Sequence, residues 1–90
     1  MSLYLAAYDI AADRRRRSVA RTLRGYGQRI QESVFEVWLD PGEVAELRLR
    51  VAADLEVEDS FELVPIDERG ARRRFRWQRE IEPWDPVLFR

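Results

Sequence analysis

One carboxylate and two runs of arginine are the residues of this 90-residue chain best suited to chemistry. Asp9 stands between Tyr8 and Ile10, at the carboxyl end of the apolar run Leu3-Tyr4-Leu5-Ala6-Ala7. A carboxylate at the edge of a core has to be solvated, paired or bound to a cation. Four consecutive arginines, Arg14 to Arg17, follow within one short loop. Between residues 10 and 30 seven arginines (14, 15, 16, 17, 21, 24, 29) accompany one acid, Asp13. Residues 69–79 hold six more (69, 72, 73, 74, 76, 79) and no acid. The intervening residues 31–68 carry twelve acids against Arg48 and Arg50, so the net charge of −1 conceals a segregation. All sixteen basic residues are arginine. Genomic base composition is one source of that bias. Chemistry is another, since a guanidinium grips phosphate through two parallel hydrogen bonds. A polyanionic partner fits if the two basic blocks meet in space, and such binding weakens steeply with salt.

Histidine and cysteine are absent. That excludes histidine-based triads, disulfides and zinc–thiolate sites. Any metal would need oxygen ligands, which favours Mg²⁺ or Mn²⁺ over Zn²⁺. Acid–base work would fall to carboxylate, water or tyrosine. No apolar run approaches the roughly 20 residues that cross a bilayer, and the start lacks a secretory signal pattern. The expectation is a cytoplasmic protein that does not engage membranes. With 46% apolar residues the chain folds as one domain, expected over residues 1–82, followed by a tail at 83–90.

The elements that position these residues follow from periodicity. Residues 3–10 are apolar at both parities, Leu3, Leu5 and Ala7 on one face and Tyr4, Ala6 and Tyr8 on the other, as in a central strand. Asp13 is expected to cap a helix over about 14–26, with Val19, Ala20, Leu23 and Tyr26 inward. Arg14, Arg17, Arg21 and Arg24 fall on the opposite side, which reads most simply as a solvated face. Arg16 lies in the first turn, on the border of the buried face and near where Asp9 emerges. Gly25 and Gly27 end the helix, and strands follow at about 28–32 and 34–39. Asp40-Pro41-Gly42-Glu43 opens a second helix running to about Asp54. A strand at 60–66, a loop at 67–70 and a last strand at 72–81 with a cationic face complete the order. The fold class is α+β, a ferredoxin-like βαββαβ sandwich with an additional C-terminal strand. Both helices then lie on one face of the sheet, and a second protomer is the simplest cover for the other. The apolar, proline-broken tail, Trp84 to Phe89, is expected to pack on its own domain or on a partner.

Three stretches resemble the CRISPR-associated protein 2 family. They are the opening strand ending Tyr8-Asp9-Ile10 with Asp13 and the arginine-rich helix start, the run Tyr26-Gly27-Gln28-Arg29-Ile30-Gln31-Glu32-Ser33-Val34-Phe35-Glu36, and Asp59 to Pro65. The resemblance implies a homodimer in which Asp9 and its symmetry mate face each other and hold Mg²⁺ or Mn²⁺ between protomers. It places Tyr8, Arg16, Arg29 and Phe35 in the same region. Tyr8 then positions substrate or serves as an interface hydroxyl, Arg16 and Arg29 grip phosphates, and Phe35 stacks, packs near the site or belongs to the core. Arg14, Arg17, Arg72, Arg74 and Arg76 are the further candidates for nucleic-acid backbone.

Two functions remain in view. One is a metal-dependent endonuclease acting on DNA or RNA, with Asp9 and Tyr8 catalytic. The other is a non-catalytic adaptor in spacer acquisition, spacing copies of the CRISPR integrase (CRISPR-associated protein 1) along prespacer DNA. A dimer with two facing carboxylates and no histidine has few groups to protonate a leaving oxygen, which favours the adaptor. An RNA-recognition module on the same sandwich fits less well, because the aromatic strand motif that stacks bases is missing.

Overall fold

A computed structural model describes residues 1–77. Its elements are β1 (Ser2–Asp9), α1 (Asp13–Arg24), β2 (Gly27–Gln31), β3 (Val34–Leu39), α2 (Pro41–Ala52), β4 (Ser60–Ile66) and a short α3 (Glu68–Arg72). The strands form one sheet in the order β2-β3-β1-β4, with antiparallel neighbours throughout. That order is the ferredoxin-like one, and β1 is interior as its two apolar parities require. Register places Ala6 opposite Phe35 and Leu63, and Leu5 opposite Glu36 and Val64. Paired residues share a face, so the sheet has one side built from Tyr4, Ala6, Tyr8, Phe35, Val37 and Leu39.

That side carries the core. Val19, Ala20 and Leu23 of α1 and Leu47 and Val51 of α2 join Ala6, Tyr8, Phe35, Val37 and Leu39 in one buried cluster. The helix stripes are the sequence pattern made solid. The α2 start is also local chemistry. The Asp40 carboxylate accepts from the Glu43 amide at 2.8 Å, and the Glu43 carboxylate accepts from the Asp40 amide at 3.1 Å. Such a cap is worth about 1 kcal/mol.

At α1 the expected cap moves by one residue. Ala12 occupies the cap position and makes no side-chain cap, while Asp13 lies inside the first turn and pairs with Arg16. The last strand is a larger correction. Arg72 ends α3, and residues 73–77 form no strand. Two local signals decide this: the Asp67 carboxylate caps the Gly70 amide at 2.7 Å, and Glu68 pairs with Arg72 at 2.8 Å one turn on. The two-residue alternation survives nonetheless. Arg74 and Arg76 turn onto the sheet, whereas Phe75 and Trp77 are 77% and 83% exposed. The rest of the expected strand, 78–81, the domain boundary at 82 and the tail at 83–90 lie outside the described residues.

The second sheet face presents Leu3, Leu5, Ala7, Val34, Glu36 and Ile66 by alternation. α3 and residues 73–77 cover part of it, and Ala71 and Leu3 are buried. A groove of about 660 Å³ remains there, lined by Leu5, Ile30, Ile66, Phe75 and Trp77 among others. Among the described residues, no helix is long and apolar enough to cross a membrane.

Candidate carboxylate site and arginine groove

Asp9 is the last residue of β1, in register with Ser60 of β4, and its side chain is exposed. Among the described residues its carboxylate has no hydrogen bond or ion pair. Strand alternation puts it on the sheet face that α1 and α2 leave open. The loop that follows is held from two sides by neighbouring arginines of α1. Arg16 donates from Nη1 to the carbonyls of Ile10 (2.9 Å) and Ala11 (3.0 Å). Arg15 reaches instead to Asp59, through Nε at 2.7 Å and Nη2 at 3.1 Å.

Asp59 is the hub of this arrangement. Its side chain has no exposed surface, and it also accepts from the amides of Ala11 (3.2 Å) and Glu56 (3.0 Å). The Arg15 guanidinium, helped by those two amides, holds its carboxyl down from 3.8 to about 2. A carboxyl lowered in the folded state stabilises the fold above its ordinary pKa and loses that contribution as pH falls through the folded value. The loss therefore falls between about pH 4 and pH 2. Asp59→Asn is expected to lower Tm at pH 7 and to flatten the fall in Tm across that window. A variant whose Tm tracked the parent at both pH 7 and pH 2 would deny Asp59 this role.

Tyr8 points the other way. It is 7% exposed and stacks on Phe35, with ring centroids 6.4 Å apart and planes inclined by 28°. Its hydroxyl donates to the Glu32 carbonyl at 3.3 Å. Arg29, opposite Phe35 in the β2–β3 register, lays its guanidinium 5.3 Å from the centre of the Phe35 ring. Phe35 itself has no exposed surface, so it offers no face to a base. Its place is in the core, where it seats Arg29. Tyr8 and Asp9, expected in one region, are thus separated by the alternation of β1. Tyr8, Arg16 and Arg29 instead line a groove of about 390 Å³ together with Arg17, Arg21, Arg24, Ala20 and Glu32. Asp9 is not among its lining residues.

The remaining candidates divide. Arg14 lies in a third groove of mixed charge beside Ser18, Asp54 and Glu56. Arg72 pairs with Glu68, and Arg74 and Arg76 both pair with Glu36. Glu36 is 2% exposed, and an acid so buried requires such cations. The cationic alternation of residues 72–76 therefore serves, at least in part, to neutralise a carboxylate beneath it. Arg21 and Arg24 were legible as a helical row with Arg17 but read as solvated face. Asp59 and Glu36 carried no local signal, because their partners lie 44 and 38 residues away. For a metal, no group of three or more potential ligands gathers among the described residues, and around the expected centre these residues bring up the Asp9 carboxylate without a second acid beside it. A divalent ion that prefers six or more oxygens is poorly served by a single copy.

Comparison with known proteins adds the family. The model of the family described as CRISPR associated protein Cas2 matches residues 1–74. A Synechocystis protein named CRISPR-associated endoribonuclease Cas2 3 is 46% identical over 67 residues, 73% of each chain. A Thermus thermophilus protein named CRISPR-associated endonuclease Cas2 2 is 42% identical over 65 residues, 71% of this chain and 72% of that one. Among solved structures, Streptococcus pyogenes Cas2 at pH 6.5 superposes with a TM-score of 0.76 at 28% identity, covering 83% of this chain and 98% of its own. A chain of a partial Cas6-RT-Cas1–Cas2 complex gives 0.74 at 25% identity, with 84% of each chain covered.

Proposed function

The chain belongs to the CRISPR-associated protein Cas2 family, and on that basis we propose that it works in CRISPR adaptation as a homodimer. The dimer holds nucleic-acid backbone and spaces copies of the integrase, CRISPR-associated protein 1, on prespacer DNA. It also carries a metal-dependent endonuclease centre at paired Asp9 residues. Relatives named as endoribonuclease and endonuclease support the activity, and a structural neighbour from a Cas1–Cas2 complex supports the partner.

The observation that carries the reading is the Asp9 carboxylate, exposed and without a partner among the described residues, at the end of an interior strand. The same sheet face keeps apolar surface for a second copy: Val64 is 41% exposed, and Phe75 and Trp77 are more so. Two Asp9 side chains meeting across a two-fold axis give an oxygen site that suits Mg²⁺ or Mn²⁺. When bound, such an ion supplies polarisation of a phosphodiester and a lowered pKa for water. The chain's own part is to hold Asp9 in place through Arg16 and Asp59 and to neutralise phosphate with the exposed guanidiniums of α1 and β2.

A specific observation favours the non-catalytic adaptor as the second reading. The Tyr8 hydroxyl, the nearest candidate proton donor in sequence, is engaged by the Glu32 carbonyl on the opposite face. That leaves the leaving oxygen to be protonated by water. Crystals grown with Mn²⁺ test the centre directly. The expected result is anomalous density between the Asp9 carboxylates of two protomers. Protomers that keep those carboxylates apart, with no density at either, would overturn it.

A further inference from the structure

Residues 73–77 hold two aromatic rings out to solvent beside cations of their own block. Phe75 is 77% exposed and Trp77 83% exposed. Neither ring has an aromatic partner among the described residues. The arginines that alternate with them are tied down instead: Arg74 pairs with one oxygen of the buried Glu36 carboxylate and Arg76 with the other. Arg74 also donates from Nε to the Ala71 carbonyl at 2.9 Å. The backbone beneath the rings is thus pinned before any guest arrives, and less freedom is lost on binding. Residues two apart on an extended chain stand about 6.6 Å from each other. That is roughly two steps of a base stack, which leaves room for one base between two parallel rings.

Charge decides what covers the rings. Arg69 of α3 and Arg73 at its C-cap lie one helical turn apart. Both are exposed, and neither side chain has a hydrogen bond or ion pair among the described residues. Residues 69–79 hold six arginines and no acid. A second copy seated on the rings would set its own arginine block against this one, whereas a nucleic acid brings the counter-charge.

We propose that Phe75 and Trp77 form a stacking platform for the unpaired bases of single-stranded nucleic acid, with Arg69 and Arg73 on the phosphates beside them. The inference rests on the nucleic-acid reading above and adds contact with bases to the backbone contact given there. It assigns these two rings to the strand and leaves Val64, with Leu5 and Ile66, to the second copy. Every base has a π face, so the platform is indifferent to sequence, but a base paired within a duplex cannot enter it. Phe75 and Trp77 line the groove on the open sheet face and Asp9 does not, so stacking and cleavage are separable.

Fluorescence anisotropy with a labelled single strand of about 20 nucleotides and the matching blunt duplex, over a series of salt concentrations, tests this. Sedimentation of the same samples reads self-association. The variant Phe75→Ala/Trp77→Ala changes two exposed positions, so its fold is retained. It is expected to bind the single strand about tenfold more weakly, since each stacked base is lost with its ring. Its salt slope should stay parental, because no phosphate contact has been removed, and it should bind the duplex and self-associate like the parent. Trp77→Phe keeps a ring and should keep most of the affinity for the single strand. Parental single-strand affinity in the double variant would overturn the platform and leave the proposed function standing. An equal loss for the duplex would also overturn it, as would a loss of self-association, which would give the rings to the second copy. A parent that bound neither probe at low salt would overturn both the platform and the nucleic-acid reading.

Discussion

Asp9→Asn should abolish metal-dependent cleavage, lowering it by at least about 100-fold, while the folded chain and its self-association survive. The size follows from removing a charged group at the reacting centre, where one preorganised electrostatic contact is commonly worth that much. In the proposed dimer both carboxylates go at once, since each protomer carries the change. The survival of the fold follows from the site's geometry. Asp9 is exposed and has no hydrogen bond or ion pair among the described residues, so amide for carboxylate costs no more than about 0.5 kcal/mol. Cleavage of a labelled RNA and a labelled DNA in Mg²⁺ or Mn²⁺, beside sedimentation and Tm, gives the three readings together. Cleavage that persisted in the variant would remove Asp9 from the chemistry. Spacer acquisition that persisted in cells while cleavage vanished would make the adaptor the biological role.

Gly27→Ala is the substitution expected to damage the structure most. Gly27 opens β2 and sits against β3 so closely that a Cβ would overlap the Glu36 carbonyl oxygen and lie 2.7 Å from the Val37 Cα. Those neighbours are backbone, which cannot swing aside as a side chain can. The strand pair would have to part at its start, and the register that sets Arg29 over Phe35 starts there. A loss of roughly 3 kcal/mol is expected, at the upper end of what overpacking costs. In a chain of this length that is a fall in Tm of at least about 12 °C. Nucleic-acid affinity should fall as well, because Arg29 leaves its seat. A Tm within roughly 3 °C of the parent, the shift of a sub-kcal/mol change, would show that β2 has room the structure does not display.

This position also shows how far a motif can be read. Tyr26-Gly27-Gln28 was legible as part of a family pattern and as the end of a helix. The helix in fact ends at Arg24 with Gly25 as its cap, and Gly27 is required by the approach of β3 to the start of β2. The identity of the residue was in the chain, but the reason for it was in the pairing. Phe35 is similar. Its place in the resemblance left a ring beside nucleic acid and a ring in the core both open, and burial at 0% exposure decides for the core, where it seats Arg29.

What the sequence determined by itself was whatever depends on neighbours a few residues apart. The period-two and helical patterns set the order of the elements from β1 to β4, though not the α3 turn that replaced the start of the expected last strand. The Asp40–Glu43 capping box set the start of α2, and the parity of β1 put Tyr8 and Asp9 on opposite faces. The tertiary structure decided the rest. It chose which face the helices cover, gave Asp59 to Arg15 and buried Glu36 under Arg74 and Arg76. It also turned three arginines of a solvated helix face into the wall of a groove with Arg29. The physical reason is range. Caps and periodicities are settled by contacts within a turn or a strand repeat, whereas a buried charge is tolerated only once chain folding has delivered its distant partner.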